Sequence, residues 1–461
     1  MSTKLNNFGD TALGVAKRAM PLLAGAAIIA GLGHVDSAWA QDAAAAPAPV
    51  VDKGDTAWML TSTVLVLAMT VPGLALFYGG LVRAKNMLSM LVHVAVVASI
   101  GMITWAFWGY SLSFTDGGSS SAFIGDFSKA FLKGVTASST AATFSAGYQI
   151  PELVFIAFQM TFAAITPGLI LGATAERMKI AAVVVFSVLW PLLSYYPIAH
   201  MVWEAKGLMF GWGTLDFAGG TVVHINAGFG ALVACLILGP RTGYRNEPMA
   251  PHSLTLTYVG AGLLWVGWFG FNAGSNLEAN GTTALVMVNT FLATAAAGLS
   301  WAAVEWVLNK RPSMLGLASG MVAGLVAITP ACGVSGPIGA IVLGLLVSPI
   351  CIFFVAKVKH IFKYDDSLDA FGVHGIGGTV GAIATGILAA PALGGTPPAN
   401  YELVAQVLTQ TKAVLVSIVW TSVATAITFY IIKFTVGLRA STDAEEEGLD
   451  IAEHGERAYH I

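Results

Sequence analysis

From residue 56 onward the chain repeats one pattern: an apolar run of roughly 18–25 residues, a short polar connection, then another apolar run. A run of that length carries an α-helix across the ~30 Å hydrocarbon layer of a bilayer, where the helix satisfies its own backbone. The runs fall near residues 56–79, 86–113, 150–172, 180–201, 218–239, 254–274, 283–308, 314–330, 336–357, 371–390 and 409–436. Charged residues make up only 10% of the chain, against about 25% in soluble domains. The expected class is therefore an all-α polytopic membrane protein with about eleven transmembrane helices. The 52 glycines suit helices that approach closely at small residues.

Basic residues orient the array. Arg83 and Lys85, Arg177 and Lys179, Arg241 and Arg245, Lys310 and Arg311, and Lys357, Lys359 and Lys363 all follow odd-numbered runs. Only Lys129, Lys133 and Lys206 follow even-numbered ones. Basic connections face the cytoplasm, so the expected N-terminus is periplasmic and the C-terminus cytoplasmic, in a multi-pass protein of a bacterial inner membrane. Independently, Lys17 and Arg18 precede a short apolar run from Met20 to Leu32, and Ala38-Trp39-Ala40 offers a cleavage site. The expected division is a signal peptide over 1–40, a periplasmic linker over 41–55, a transmembrane domain over 56–437 and a cytoplasmic tail over 438–461. The long connection 114–149 is rich in Ser, Ala, Thr and Gly and reads as lightly packed, with no chemistry of its own.

The net charge of −3 gives no sign of nucleic-acid binding. Cys235, Cys332 and Cys351 lie in or beside apolar segments without metal-ligand spacing, so neither a disulfide framework nor a metal is expected.

Two runs contain a histidine behind an aspartate. Leu215-Asp216 precedes Val223-His224, and Leu368-Asp369 precedes Val373-His374. His-x-x-x-Gly follows in both, ending at Gly228 and Gly378, although the Asp-to-His spacing differs between these pairs. Spans one to five and six to ten read as two five-helix halves of an inverted repeat, followed by a final helix. Thr166-Pro167 and Thr329-Pro330 are a weaker echo of the same kind. Ionisable groups inside a membrane line a pathway more often than they pack, and burial disfavours the charged imidazolium. A neutral imidazole pair accepts, donates or relays protons; haem ligation is the competing use.

Aromatic and polar residues gather toward the expected outer ends: Phe158, Gln159 and Phe162 in the third span, Trp203 closing the fourth, and Phe271 with Ser275 at the end of the sixth. Tryptophan there is usually part of the interfacial belt, yet aromatic faces beside a hydroxyl also hold a small cation.

Several blocks resemble the ammonium transporter family (Amt/Mep/Rh, bacterial Amt type). They are Pro72-Gly73-Leu74-Ala75-Leu76-Phe77-Tyr78-Gly79-Gly80, Ser194 to Trp203, Asp216 to His224, Gly267 to Ser275, and Phe371 to Gly375. The likeness runs from about Asp52 to Tyr459. It implies an external ammonium site at Trp203, Phe162 and Ser275 with Asp216 in support. It implies an outer gate of Phe162 and Phe271 with Phe158 and Gln159 beside it, and pore histidines His224 and His374. Ammonium or ammonia is the implied substrate, with methylammonium as analogue, and no cofactor, metal or catalytic residue is implied. A homotrimer in membrane lipid is also implied, as is a PII-type regulator at the tail around Glu447-Gly448-Leu449-Asp450 and His454-Gly455-Glu456. The 114–149 connection and Glu204 and Lys206 depart from the pattern and bear on the outer rim. An ammonium sensor signalling through its tail and a haem-bearing oxidoreductase stay open as alternatives.

Overall fold

A computed structural model describes residues 49–459. The expected signal peptide and the linker up to residue 48 lie outside the described residues. Ten helical segments among the described residues are long and apolar enough to cross a bilayer, one fewer than the eleven spans expected. They are α1 (Lys53–Leu81), α2 (Ala84–Phe114), α3 (Glu152–Thr174), α4 (Ile180–Gly211, interrupted after Trp203), α5 (Gly220–Leu238), α6 (Leu254–Gly274), α7 (Gly281–Asn309), α9 (Pro337–Phe362), α10 (Phe371–Leu388) and α11 (Leu403–Phe434). The expected eighth span is the shorter α8, Met314–Ile328, of 15 residues. Most ends match the hydropathy boundaries closely. α11 starts six residues early because the Glu402 carboxylate caps the amides of Val404 and Ala405, a signal that hydropathy does not carry.

The ladder of several helices widens into a single π-turn. In α1 this follows from Pro72, which removes a donor in the middle of the helix. The first turns of α5 (Gly220–Ile225) and α10 (Phe371–Gly375) are π-turns too, and each carries the histidine of its run. α5 and α10 cross head to tail at the centre of the molecule. Gly228 faces Gly375, where a methyl group would come within 2.0 Å of the amide nitrogen, and Gly378 faces the Cβ of His224. α11 packs against both.

The basic connections after α1, α3, α5 and α9 meet on one face, hereafter the basic face. Glu176 pairs with Arg83 at 2.7 Å and Arg241 at 3.5 Å, and Asp365 pairs with Arg241 at 2.9 Å. Fully buried Arg177 donates to the carbonyls of Ala173, Ala175, Gly239 and Asp365.

The tail lies folded on this face. Its helices α12 (Thr442–Glu447) and α13 (Leu449–His454) bury Glu445, Leu449 and Asp450. Asp450 accepts from the amides of Leu88 and Ser89 at the start of α2, and Glu453 accepts from Ile180 at the start of α4. Part of the acidic run therefore caps neighbouring helices, while Asp443, Glu446 and Glu447 remain exposed.

On the opposite face the 114–149 connection corrects the expectation of a lightly packed loop. Strands β2 (Thr140–Ala142) and β3 (Tyr148–Pro151) pair antiparallel, and β1 (Val50–Val51) adds parallel to β3. Ser145 binds the Glu278 carboxylate at 2.7 Å through both its amide and its hydroxyl, and Lys129 pairs with buried Glu152. Small polar residues make these contacts, so composition alone gave no warning of them.

Candidate functional site

The helix crossing strings five expected residues into one column of rings. The Trp203 indole meets the Phe162 ring edge-on at 6.1 Å between centroids. Phe162 stacks on Phe271 at 4.0 Å, and Phe271 lies 5.9 Å from His224. His224 stacks at 5.4 Å on His374, with the two Nδ1 atoms 3.3 Å apart. Phe158 flanks the column 5.0 Å from Phe162.

Each upper residue is positioned by a specific bond. Trp203 Nε1 donates to the Asp216 carbonyl at 3.0 Å, which sets the indole plane. The Ser275 hydroxyl, one turn past Phe271, donates to the Phe271 carbonyl at 2.8 Å and keeps lone pairs free to accept. Gln159 is buried, and its Oε1 has no partner among the described residues. Such an atom is an acceptor waiting for a donor.

The Asp216 carboxylate is already occupied. It accepts from the amides of Gly219 at 2.8 Å, Gly220 at 2.5 Å, Thr221 at 2.8 Å and Val222 at 3.3 Å, and from the Thr221 hydroxyl. These are the orphan donors that open α5.

The second copy of this arrangement corrects the sequence pairing of Asp216 with Asp369. The cap of α10 is Asp366, which accepts from Ala370 at 3.1 Å and Phe371 at 2.8 Å. Asp366 precedes His374 by the same interval that separates Asp216 from His224. Asp369 instead sits at a positive φ of 61° and pairs with Lys359 at 2.7 Å. The true repeat is Asp-x7-His-x3-Gly, and equal spacing was the signal that would have found it. The Thr-Pro echo is likewise inexact: Pro167 lies within α3, whereas Pro330 follows the end of α8 and packs on Gly220.

Below Phe271 the helices leave a narrow cavity of about 10 Å³, bordered by His224, His374, Trp268, Leu264, Val223 and Val322. That volume fits about one water-sized centre. Trp268 was not singled out in advance. It stacks on His224 at 5.3 Å and anchors its Nε1 on the Thr329 hydroxyl at 2.9 Å. Its position three residues before Phe271 on one helix was the available clue. His374 also borders a wider space of about 200 Å³ that opens toward the basic face beside Ser367 and Asp369.

Two imidazoles in direct Nδ1 contact share one hydrogen, since one nitrogen must donate and the other accept. Two doubly protonated rings would oppose N–H to N–H. Contact this close also leaves no room for a porphyrin between the rings, which removes the geometric basis for the haem alternative.

At the outer rim, Lys206 pairs with Asp116. The hydrogen bond from Lys206, with help from the Gly118 amide and the Ser121 hydroxyl, pulls the Asp116 carboxyl down to about 2. The Lys206 charge is therefore matched locally.

Residues 57–459 match the Ammonium Transporter Family. The chain is 45% identical over 412 residues to the ammonium transporter of Aquifex aeolicus, covering 89% of this chain and 94% of that one. Among solved structures, Saccharomyces cerevisiae Mep2 superposes with a TM-score of 0.77 at 33% identity, over 85% of this chain and 88% of that one. A protein described as a sensor Amt protein superposes at 0.79 with 27% identity, over 87% and 98% respectively.

Proposed function

This chain belongs to the ammonium transporter family, and we propose that it takes up ammonium at the face opposite the basic one, removes one proton and passes ammonia alongside His224 and His374. The observation that carries this reading is the unbroken ring column ending in two imidazoles in mutual contact, beside a cavity of about 10 Å³.

Ammonium and potassium share charge and approximate size, but only ammonium can shed a proton. An intact cation in an apolar passage loses its hydration at a cost of several kcal/mol or more. Capture uses the faces of Trp203 and Phe162 and the accepting lone pairs of Ser275, with Asp216 holding the loop in place. The stacked rings of Phe162 and Phe271, flanked by Phe158 and Gln159, then part. Ammonia crosses beside His224 and His374 and regains a proton in the wider space near Asp369. The released proton either follows over the imidazoles or stays outside.

In this reading the basic face is cytoplasmic and the opposite face periplasmic, in a bacterial inner membrane. Three copies assemble, each with its own pathway, and a PII-type protein docks at the tail. The likeness to a sensor Amt protein and the docked tail support a sensing role as the second reading. Transport is preferred because a sensor has no need of a cavity continuing past the capture site.

The test is uptake and current in proteoliposomes with ammonium, methylammonium and potassium, for wild type and for His224→Ala with His374→Ala. The intact protein should move the first two and exclude potassium. Equal passage of potassium sinks the deprotonation mechanism. Native mass spectrometry reads the trimer. Deleting residues 441–461 should abolish capture of a PII-type protein, and unchanged capture counts against tail docking.

A further inference from the structure

We propose that the turn bearing Phe127 and Phe131 sits in the headgroup layer of the adjoining lipid leaflet and anchors the 114–149 connection to the bilayer. Phe127 is 64% exposed and Phe131 70% exposed. The Phe131 ring lies 5.0 Å from that of Phe107 on α2. Phe107 is itself 40% exposed, and Ile103, one turn below it, is 53% exposed. These two residues form part of the apolar stripe that α2 turns outward from the helix bundle.

Phe107 stands about 22 residues beyond Lys85, or ~33 Å along the helix. That is about one hydrocarbon thickness from the basic face. Amphipathic and aromatic rings collect at this boundary.

The backbone points the same way. Phe131 and Leu132 both have φ of 55°, a left-handed conformation that bulky residues avoid. Its effect is to turn Leu132 inward, where it and Val135 pack on the core, while Phe131 stays outside. Holding a phenyl ring out by strain is unfavourable in water and favourable against lipid. Lys133 is exposed beside it and suits an anionic phosphate headgroup, whereas Lys129 is engaged with Glu152. A second copy of the chain is the rival occupant. The boundary depth of Phe107 together with the exposed Lys133 amine, which suits a phosphate headgroup, favours phospholipid.

The experiment places a nitroxide label at Phe131→Cys, at Phe127→Cys one turn earlier, and at Ser119→Cys in an exposed turn of the same connection. The native cysteines are buried, so labelling is confined to the new site. In proteoliposomes of phosphatidylethanolamine and phosphatidylglycerol, power saturation compares access of oxygen with access of a water-soluble nickel chelate. The oxygen-to-nickel ratio should be several-fold higher at 131 and 127 than at 119. Equal ratios at all three sites overturn the proposal. So does spin–spin broadening at 131 that disappears on dilution with unlabelled protein, which would assign the patch to a second copy.

Discussion

Gly228 lies directly against Gly375, so that a single added methyl group would fall within 2.0 Å of the Gly375 amide. The reciprocal contact sets Gly378 against His224. Each glycine stands four residues past one histidine and presses on the backbone that carries the other. The missing side chains let α5 and α10 approach until the two imidazoles touch, and that approach fixes how wide the passage is.

Gly228→Ala should force the crossing apart. Overpacking of this kind costs about 1–3 kcal/mol, and the His224–His374 contact should open with it. Methylammonium uptake should fall to near background while the protein still inserts and folds. Gly262→Ala, on the same kind of apolar helix with open space at its Cα, is the matched control and should leave uptake unchanged.

Asp216→Ala removes the acceptor for four amides and one hydroxyl at the head of α5. Loss of a charged cap of this kind should cost about 2–3 kcal/mol. Thermal unfolding in detergent should drop clearly, together with uptake. A variant of unchanged melting temperature and weakened ammonium affinity would instead mean that Asp216 touches the cation.

Gln159→Leu is expected to behave in the opposite way. Its Oε1 has no partner to lose, so stability should hold or rise slightly. The half-saturating ammonium concentration should increase several-fold in uptake assays if this amide oxygen receives a substrate N–H. An unchanged value removes Gln159 from the capture site.

Asp366 supplies the pH dependence. Burial pushes its carboxyl up to about 6, against the pull of Lys359 and with Asp369 adding to the rise. A folded-state value above the unfolded one favours the fold at low pH. The associated stability is fully present below the unfolded value of 3.8 and is lost as pH rises through about 6. The melting temperature of wild type relative to Asp366→Asn should therefore decline between pH 4 and pH 6 and level off above that range. A flat difference across the range would show that Asp366 does not titrate there.

Asp450→Ala should loosen the junction of tail and bundle. Leu88 and Ser89 would lose their caps, at a cost of about 1–2 kcal/mol. Faster hydrogen exchange at these two amides, with little change at the centre of α2, is the expected signature.

The sequence by itself determined the helical spans, the face on which basic residues collect, and the residues of the ring column. Each of these follows from local quantities: mean hydropathy over a helix length, charge in a connection, and residue type within a motif. The equal spacing of Asp216 to His224 and of Asp366 to His374 is present in the sequence, but only the tertiary structure shows Asp366 reaching the amides of Ala370 and Phe371 while Asp369 turns to Lys359. It also decided that the tail folds back onto α2 and α4 and that the 114–149 connection forms a sheet. Those outcomes rest on hydrogen bonds between residues far apart in the chain, such as Ser145 to Glu278 and Ser89 to Asp450. The width of the passage belongs to the same class: glycine content allows close approach, but only the packed crossing shows which glycine meets which backbone.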